Sequence, residues 1–262
     1  MEKGIVVVKG EPIEGAVFTL FDRLKEECQV PKNGTFIIKP NLVSDYPPPI
    51  TTPIDVVGVL IDAIRSWAPS AQILIAEGTA SISLDTWEVF SRLGYLDLSS
   101  KKGVELLDLN EEGLLRLEDD GHSFFKEIWL PKVVFDAFLI SVPVLKAHTL
   151  AGVTLSMKNM VGLLPPKLYQ EKGHWKKSFC HRNIQRAIYE LNRFRSPDLT
   201  ILDARRGLST SHLSGPELDP PPGIVCGGKS CWKVDAYGAG LLGRDWRTIE
   251  HIFWASKDER FT

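Results

Sequence analysis

Short, largely apolar segments alternate with stretches of helical periodicity along the first half of the chain. Residues 13–28 and 53–67 place apolar side chains at helical spacing, with Pro53 as the first residue of the second helix and Thr52 as its cap. The segments that predict strands are 5–8, 35–38, 73–76, 104–108, 138–142 and 199–202. Strands that are apolar on both sides are typical of a parallel sheet between two layers of helices. We therefore predict an α/β fold with a mostly parallel sheet flanked by helices.

The middle of the chain departs from this alternation. Residues 110–130 predict a small antiparallel excursion with a turn at Asp120-Gly121, and residues 143–164 predict a loop followed by a helix. There is no internal repeat and no low-complexity linker. We expect one α/β domain over residues 1–262, with two lobes that share a core as the alternative.

Composition excludes several classes of partner. The chain of 262 residues has a formal net charge of −2, so it has no overall electrostatic attraction for nucleic acid or for an anionic membrane. No apolar run approaches the roughly 18 residues that a membrane span requires, and the first residues lack the features of a signal peptide. We therefore expect a cytoplasmic protein that binds neither nucleic acid nor membrane.

The four cysteines are widely spaced, at positions 28, 180, 226 and 231. No C-x-x-C pair occurs, whereas zinc ribbons and iron–sulfur clusters need closely spaced thiolates. A disulfide scaffold would be shorter and richer in cysteine. We expect no iron–sulfur cluster in this chain.

Polar side chains follow four of the predicted strands, at the point where each strand ends. They are Lys39 and Asn41, Glu77, Lys146 and His148, and residues 203–207. Ligands bind beyond the carboxyl ends of the strands in a parallel sheet, so these side chains are expected to converge on one pocket. Glu77 and His148 are the candidates for acid/base catalysis, because either group can reach a pKa near neutrality in a pocket. Lys39, Asn41 and Lys146 are candidates for binding an anion, and solvated loop charges are the alternative.

The segment 141–181 is strongly cationic. It contains six lysines and three histidines, and Glu171 is its only acidic residue. Lys158 and Asn159 lie among the apolar residues of the predicted helix, where a charge needs a partner or a ligand. We therefore predict that both residues bind an anionic small molecule such as a carboxylate or a phosphate. A solvated, lysine-rich loop is the alternative.

The histidines of this segment raise the question of a metal, because imidazole is a common neutral metal ligand. His174 and His181 are the candidate ligands, although a histidine held by structural hydrogen bonds is the alternative for each. The spacing matches no structural zinc motif, and crowded lysines oppose a bare divalent cation. We therefore expect a transition metal only together with an organic or phosphate ligand.

Five segments of the sequence resemble the domain-of-unknown-function family numbered 362. They are KPNLV (39–43), TTPIDVV (51–57), AEG (76–78), SVPVLKAHTLAGVTLSMKNMVGLLP (141–165) and PDLTILDA (197–204). The resemblance extends from near residue 5 to near residue 255. Many members of that family carry an appended iron–sulfur module, whose cysteine spacing this chain lacks, so the resemblance does not imply electron transfer.

A more distant resemblance is to the nickel-pincer lactate racemases. The segment His148 to Gly152 is similar to their His-x-x-Ala-Gly segment, and Lys158 and His174 follow at spacings similar to those of a racemase lysine and histidine. In that family the lysine holds the pincer cofactor covalently and the histidine coordinates nickel. The resemblance implies that His148 is an acid/base or substrate contact, that Lys158 tethers a cofactor or anion, and that His174 is a metal ligand.

These observations favour a protein that binds an anionic small molecule or cofactor, with or without a metal, and catalyses acid/base chemistry on it. The alternative is a non-catalytic protein that binds a cofactor or delivers it to another protein. A purely structural module is less compatible with the sequence, because such a module has no need of polar residues at successive strand ends.

Overall fold

The computed structural model describes residues 4–9, 12–171 and 175–261. The strands of the described chain are β1 (Val6–Lys9), β2 (Thr35–Pro40), β3 (Gln72–Glu77), β4 (Glu105–Asp108), β5 (Leu114–Glu118), β6 (Glu127–Pro131), β7 (Phe138–Val142), β8 (Val144–His148), β9 (Gly152–Thr154), β10 (Leu199–Leu208) and β11 (Ile224–Gly228). Its α-helices are α1 (Ile13–Glu27), α2 (Ile54–Trp67), α3 (Thr86–Arg92), α4 (Tyr95–Lys102), α5 (Ser156–Asn159), α6 (Pro166–Tyr169), α7 (Ile184–Phe194), α8 (Cys231–Leu241) and α9 (Glu250–Ala255). Within the described ranges, none of these helices is both long and apolar enough to cross a membrane.

A nine-stranded mixed sheet organises the chain. Its main path runs in the order β1-β11-β10-β7-β2-β3-β4, and the five strands from β10 to β4 are mutually parallel. At the other end, β11 pairs antiparallel with both β10 and β1. The predicted α/β fold with a mostly parallel sheet is therefore confirmed.

The central strands bury side chains on both faces, as the uniformly apolar segments predict. In β2, Phe36 and Ile38 join the core beneath α1 and α2, whereas Ile37 points into a second core on the opposite face. In β7, Ile140 and Leu139 divide between the same two cores. Because successive side chains in a strand point to opposite faces, helices must cover both sides of this sheet.

The predicted excursion near 110–130 is present as a separate two-stranded antiparallel sheet formed by β5 and β6. Residues 119–126 connect the strands, and the Gly121 N–H donates to Asp119 Oδ1 within this connection. The predicted turn at Asp120-Gly121 therefore falls between β5 and β6.

The prediction of a loop followed by a helix over 143–164 was wrong for the loop, whereas the later part is helical. An antiparallel β8–β9 hairpin takes the place of the loop, and the short helix α5 and a 3₁₀ turn over Met160–Leu163 follow it. Burial explains why the hairpin was missed: apart from the exposed Thr149 and Leu150 most of this segment is buried, so its apolar residues show no periodicity that distinguishes a strand from a helix.

The start of α2 also differs from the prediction. Pro53 precedes the helix as its cap residue rather than being its first residue. The Thr52 hydroxyl does not cap the helix, because it donates to the Val142 carbonyl at 2.7 Å. This contact joins the segment before α2 to the end of the central strand β7.

We expect Leu139→Ala to lower the free energy of unfolding by about 2–5 kcal/mol, because truncating a buried leucine leaves a cavity. Leu139 is fully buried in the central strand β7. The control is Leu96→Ala, at a position 42% exposed on α4, which should change stability by less than about 0.5 kcal/mol. Urea denaturation of both variants measures the difference, and equal losses would contradict the central position of β7.

Candidate functional site

A buried ion pair joins the carboxyl ends of β2 and β3. Lys39 Nζ lies 2.7 Å from Glu77 Oε1, and both side chains are almost inaccessible to solvent. Glu77 also accepts backbone N–H groups from Gly78 at Oε1 (2.8 Å) and from Leu42 at Oε2 (3.0 Å). Three donors therefore satisfy this carboxylate, which is the arrangement that a buried charge requires.

Two asparagines extend this ion pair across the sheet edge. Asn159 Nδ2 donates to the Lys39 carbonyl and to Ser141 Oγ, and Asn159 Oδ1 accepts from Asn41 Nδ2 at 3.1 Å. Lys146 Nζ donates to Asn41 Oδ1 at 2.7 Å and to the Ile50 carbonyl at 2.6 Å.

We call these five residues, Lys39, Asn41, Glu77, Lys146 and Asn159, the buried polar network. The structure thus brings together five of the predicted site residues from four separate segments.

Two glycines allow the backbone to close over the ion pair. A side-chain carbon at Gly162 would collide with Glu77 Oε1 and Lys39 Nζ, and one at Gly78 would collide with the Gly162 carbonyl. Gly162 belongs to the Met-x-Gly part of the segment that carries Lys158 and Asn159. The glycine therefore serves close packing against a charged pair.

Lys177 forms a third buried cationic contact, which the sequence did not single out from its neighbouring lysines. Its Nζ donates to Asn110 Oδ1 (2.7 Å) and to the carbonyls of Leu164 (2.7 Å) and Gly162 (3.0 Å). Burial lowers the pKa of Lys177 to about 7. These three acceptors occupy the ammonium group, so Lys177 connects the loop at 175–178 to Asn110 after β4 and to the segment 162–164.

A cavity of about 290 Å³ adjoins the network. We call it the Lys158 cavity. Its polar lining is formed by His148, Thr149, Lys158, Lys176, Lys177, His181 and His212, and its apolar lining by Val43, Ala80, Leu150, Val161, Trp175, Cys180, Ile184 and Leu213. No carboxylate of the described chain lines it, so its charged groups are all cationic.

Lys158 differs from the other lysines of the site. Within residues 4–9, 12–171 and 175–261, its Nζ has no hydrogen-bond acceptor and no carboxylate partner. Burial lowers the pKa of Lys158 to about 8. An ammonium group in this position lacks the counter-charge that Glu77 gives to Lys39.

The short helix α5 carries Lys158, and Asp235 of α8 binds the N-terminal end of this helix. The Asp235 carboxylate accepts the Ser156 N–H at 2.8 Å and the Met157 N–H at 2.9 Å. Burial raises the pKa of Asp235 to about 7. A remote carboxylate therefore satisfies the first N–H groups of α5, which no neighbouring side chain caps.

His148 ends β8 and faces the Lys158 cavity with its ring fixed on one side. Its Nδ1 accepts the N–H groups of Leu150 (3.1 Å) and Ala151 (3.0 Å). The ring of His212 stacks on it, with centroids 4.1 Å apart and an interplanar angle of 21°. Burial, followed by the positive charge of Lys158, lowers the pKa of both histidines, that of His212 to about 3. His212 was missed in the sequence because it is a single histidine in a loop without any motif.

Only one of the two predicted metal ligands lies within the described residues. His181 is exposed at the rim of the Lys158 cavity, and His174 lies outside the described residues. Among the residues that the structure describes, no group of three or more His, Cys, Asp or Glu side chains could hold a metal ion. The described donors alone therefore do not fit a metal.

The fold and the position of these residues define an α/β protein with a cationic site at the carboxyl ends of its parallel strands. The chain belongs to the DUF362 family, a domain of unknown function, whose family pattern matches residues 37–240. No curated protein matches the sequence. The family predicted from the sequence is therefore confirmed.

A solved structure with a similar fold is that of the lactate racemase apoprotein from Thermoanaerobacterium thermosaccharolyticum. The TM-score is 0.54 at 14% sequence identity, and the match covers 93% of this chain and 58% of that chain. This chain therefore spans less than two thirds of the racemase. The distant resemblance is confirmed for the fold, whereas the predicted correspondence of His148, Lys158 and His174 remains a prediction.

We expect Glu77→Gln to lower the free energy of unfolding by about 3–5 kcal/mol, because it leaves the buried Lys39 ammonium without its counter-charge. The matched control is Glu217→Gln, which breaks an exposed ion pair with Arg206 and should cost less than about 1 kcal/mol. Urea denaturation near pH 7 compares the two. Similar losses in both variants would show that the buried polar network contributes little to stability.

Proposed function

We propose that this chain binds an anionic small molecule or cofactor in the Lys158 cavity and catalyses acid/base chemistry on it. The observation that carries the proposal is the unpaired Lys158 ammonium among residues that the structure describes. Lys39, Lys146 and Lys177 are buried nearby, and each donates to acceptors from the chain itself. A bound anion would supply the acceptor that Lys158 lacks.

The surroundings of Lys158 support an organic anion rather than a simple inorganic one. Leu150, Val161, Trp175 and Leu213 give the cavity an apolar wall, which would bury the body of a ligand. Its size of about 290 Å³ suits a small molecule. Without a carboxylate in the described lining, the cavity also repels cationic ligands.

The geometry favours different roles for the two predicted acid/base residues. Glu77 is engaged by three donors within the buried polar network, so its role there is to hold Lys39. Lys158 combines access to the cavity with a pKa of about 8, which suits proton transfer near neutral pH. We therefore assign the proton-exchanging role to Lys158, and a ligand contact to His148.

A carrier that binds and delivers its ligand unchanged is the second candidate. The described lining of the Lys158 cavity contains no carboxylate that could act as an acid or a base. This favours a carrier, because binding an anion needs only the cationic and apolar groups. Lys158→Arg separates the candidates, since it keeps the positive charge but cannot lose its proton near neutral pH. A carrier would keep its function in this variant, whereas an enzyme would lose turnover.

We expect Lys158→Met to weaken the binding of benzoate by about 10- to 100-fold, the range for loss of a hydrogen bond to a charged group. Affinity of the unchanged protein should also fall as the pH rises through about 8, because Lys158 then loses its proton. Isothermal titration calorimetry with benzoate measures both effects.

The control for this prediction is Lys167→Met, an exposed lysine of the same segment that does not line the cavity. Its affinity and pH dependence should equal those of the unchanged protein. Equal binding in all three proteins would exclude the Lys158 cavity as the anion site.

A metal enters this proposal only with an anionic ligand, and His181 and His174 remain the proposed nitrogen donors. Lysines within about 4–6 Å raise the cost of a bare divalent cation by kilocalories. We expect protein stripped of small molecules to retain no nickel or zinc after dialysis against either ion, as measured by elemental analysis. Stoichiometric retention that disappears in His181→Ala would contradict this expectation and establish a protein-only metal site.

A further inference from the structure

The hydrogen bonds of His148 determine which of its ring nitrogens carries the proton. Nδ1 faces two N–H donors, those of Leu150 and Ala151, and must present its lone pair to them. A neutral imidazole with an unprotonated Nδ1 carries its hydrogen on Nε2. No chain acceptor for Nε2 occurs among the described residues, and the ring lines the Lys158 cavity.

The groups that face His148 oppose a second proton on the ring. They are Lys146, Lys158, His181 and the stacked ring of His212, and none of them is a carboxylate. A proton added to Nδ1 would also point at the two N–H groups. Burial and these neighbours hold the pKa of His148 far below its ordinary value. The ring is therefore neutral across the physiological range.

We propose that His148 is a fixed hydrogen-bond donor that presents Nε2–H to an oxygen of the ligand, and that it does not act as a general base. The ligand of the Lys158 cavity then carries two features, an anionic group for Lys158 and a separate acceptor oxygen for His148. This inference rests on the proposed function, because it assigns the chemistry of the ligand bound at the same site.

A 2-oxo acid with an apolar body has this combination of groups. Its carboxylate would accept from Lys158, its carbonyl oxygen would accept from His148 Nε2–H, and its apolar body would pack against side chains such as Val161 and Leu213. A neutral imidazole that donates to a carbonyl polarises it without transferring a proton, and a lowered histidine pKa suits this role. A ligand hydroxyl could accept the same hydrogen bond, but His148 would offer no acceptor for the hydroxyl's own proton, because Nδ1 is occupied by two N–H groups.

Two probes that differ at one group test this assignment. Benzoylformate carries a carbonyl beside its carboxylate, and phenylacetate has a methylene in the same place. We expect the unchanged protein to bind benzoylformate about fivefold more tightly than phenylacetate, the effect of about one hydrogen bond. Isothermal titration calorimetry measures both affinities on the full chain.

Two substitutions at His148 separate its two ring nitrogens. His148→Gln places an amide N–H near the position of Nε2, so it should keep the preference for benzoylformate. His148→Asn places an oxygen near the position of Nδ1 and can still accept the backbone N–H groups, but it has no donor that reaches the cavity. We expect the preference to disappear in His148→Asn while the affinity for phenylacetate stays within about twofold.

The protonation state itself is measured by ¹⁵N NMR of the histidine rings. We expect one ring, absent from the spectrum of His148→Gln, to show an unprotonated Nδ1 that does not change between about pH 5.5 and pH 8.5. The inference would be overturned if the His148 ring titrates in this range or carries its proton on Nδ1. Binding of both probes without a carbonyl preference would also overturn it, and in that case the anion site still stands. Failure of both probes to bind would instead refute the proposed function.

Discussion

The buried pair of Lys39 and Glu77 is the interaction on which the rest of the site depends. It connects the ends of two adjacent parallel strands, and the backbone at Gly162 fits against it only because glycine lacks a side chain. A buried ion pair is costly to form and still more costly to break, since removal of either partner leaves an unpaired charge. The pair therefore fixes where the segment carrying Asn159 and Lys158 can lie.

The lysines of this region divide into two kinds according to their acceptors. Lys146 and Lys177 are buried and fully engaged by amide and carbonyl oxygens, so they hold loops to the sheet edge. Lys158 belongs to α5 and has no such acceptor in the described chain. The Asp235 carboxylate holds this helix by accepting its first N–H groups. Lys146 and Lys177 thus stabilise the scaffold through their acceptors, whereas Lys158 lines the Lys158 cavity without one in the described chain.

Much of the architecture could be predicted because the local pattern of apolar residues indicates which faces of a strand are buried. Strands such as β2 and β7 are apolar on both faces, and this alone indicates a sheet covered by helices on two sides. The hairpin of β8 and β9 could not be predicted, because full burial removes the periodicity that separates strand from helix. Its existence depends on pairing with β10, a contact between residues about 60 positions apart in the chain.

The sequence by itself determined the family, the mostly parallel α/β sheet and the set of polar residues at its strand ends, because these follow from short motifs and local periodicity. Only the tertiary structure decided how those residues divide between a buried network and an open cavity. In the sequence, Glu77 and Lys158 are equally good candidates for the site. In the structure, Glu77 accepts from three donors, whereas Lys158 has no acceptor in the described chain. Hydrogen-bond partners and burial are long-range properties, and they set the chemistry of each group.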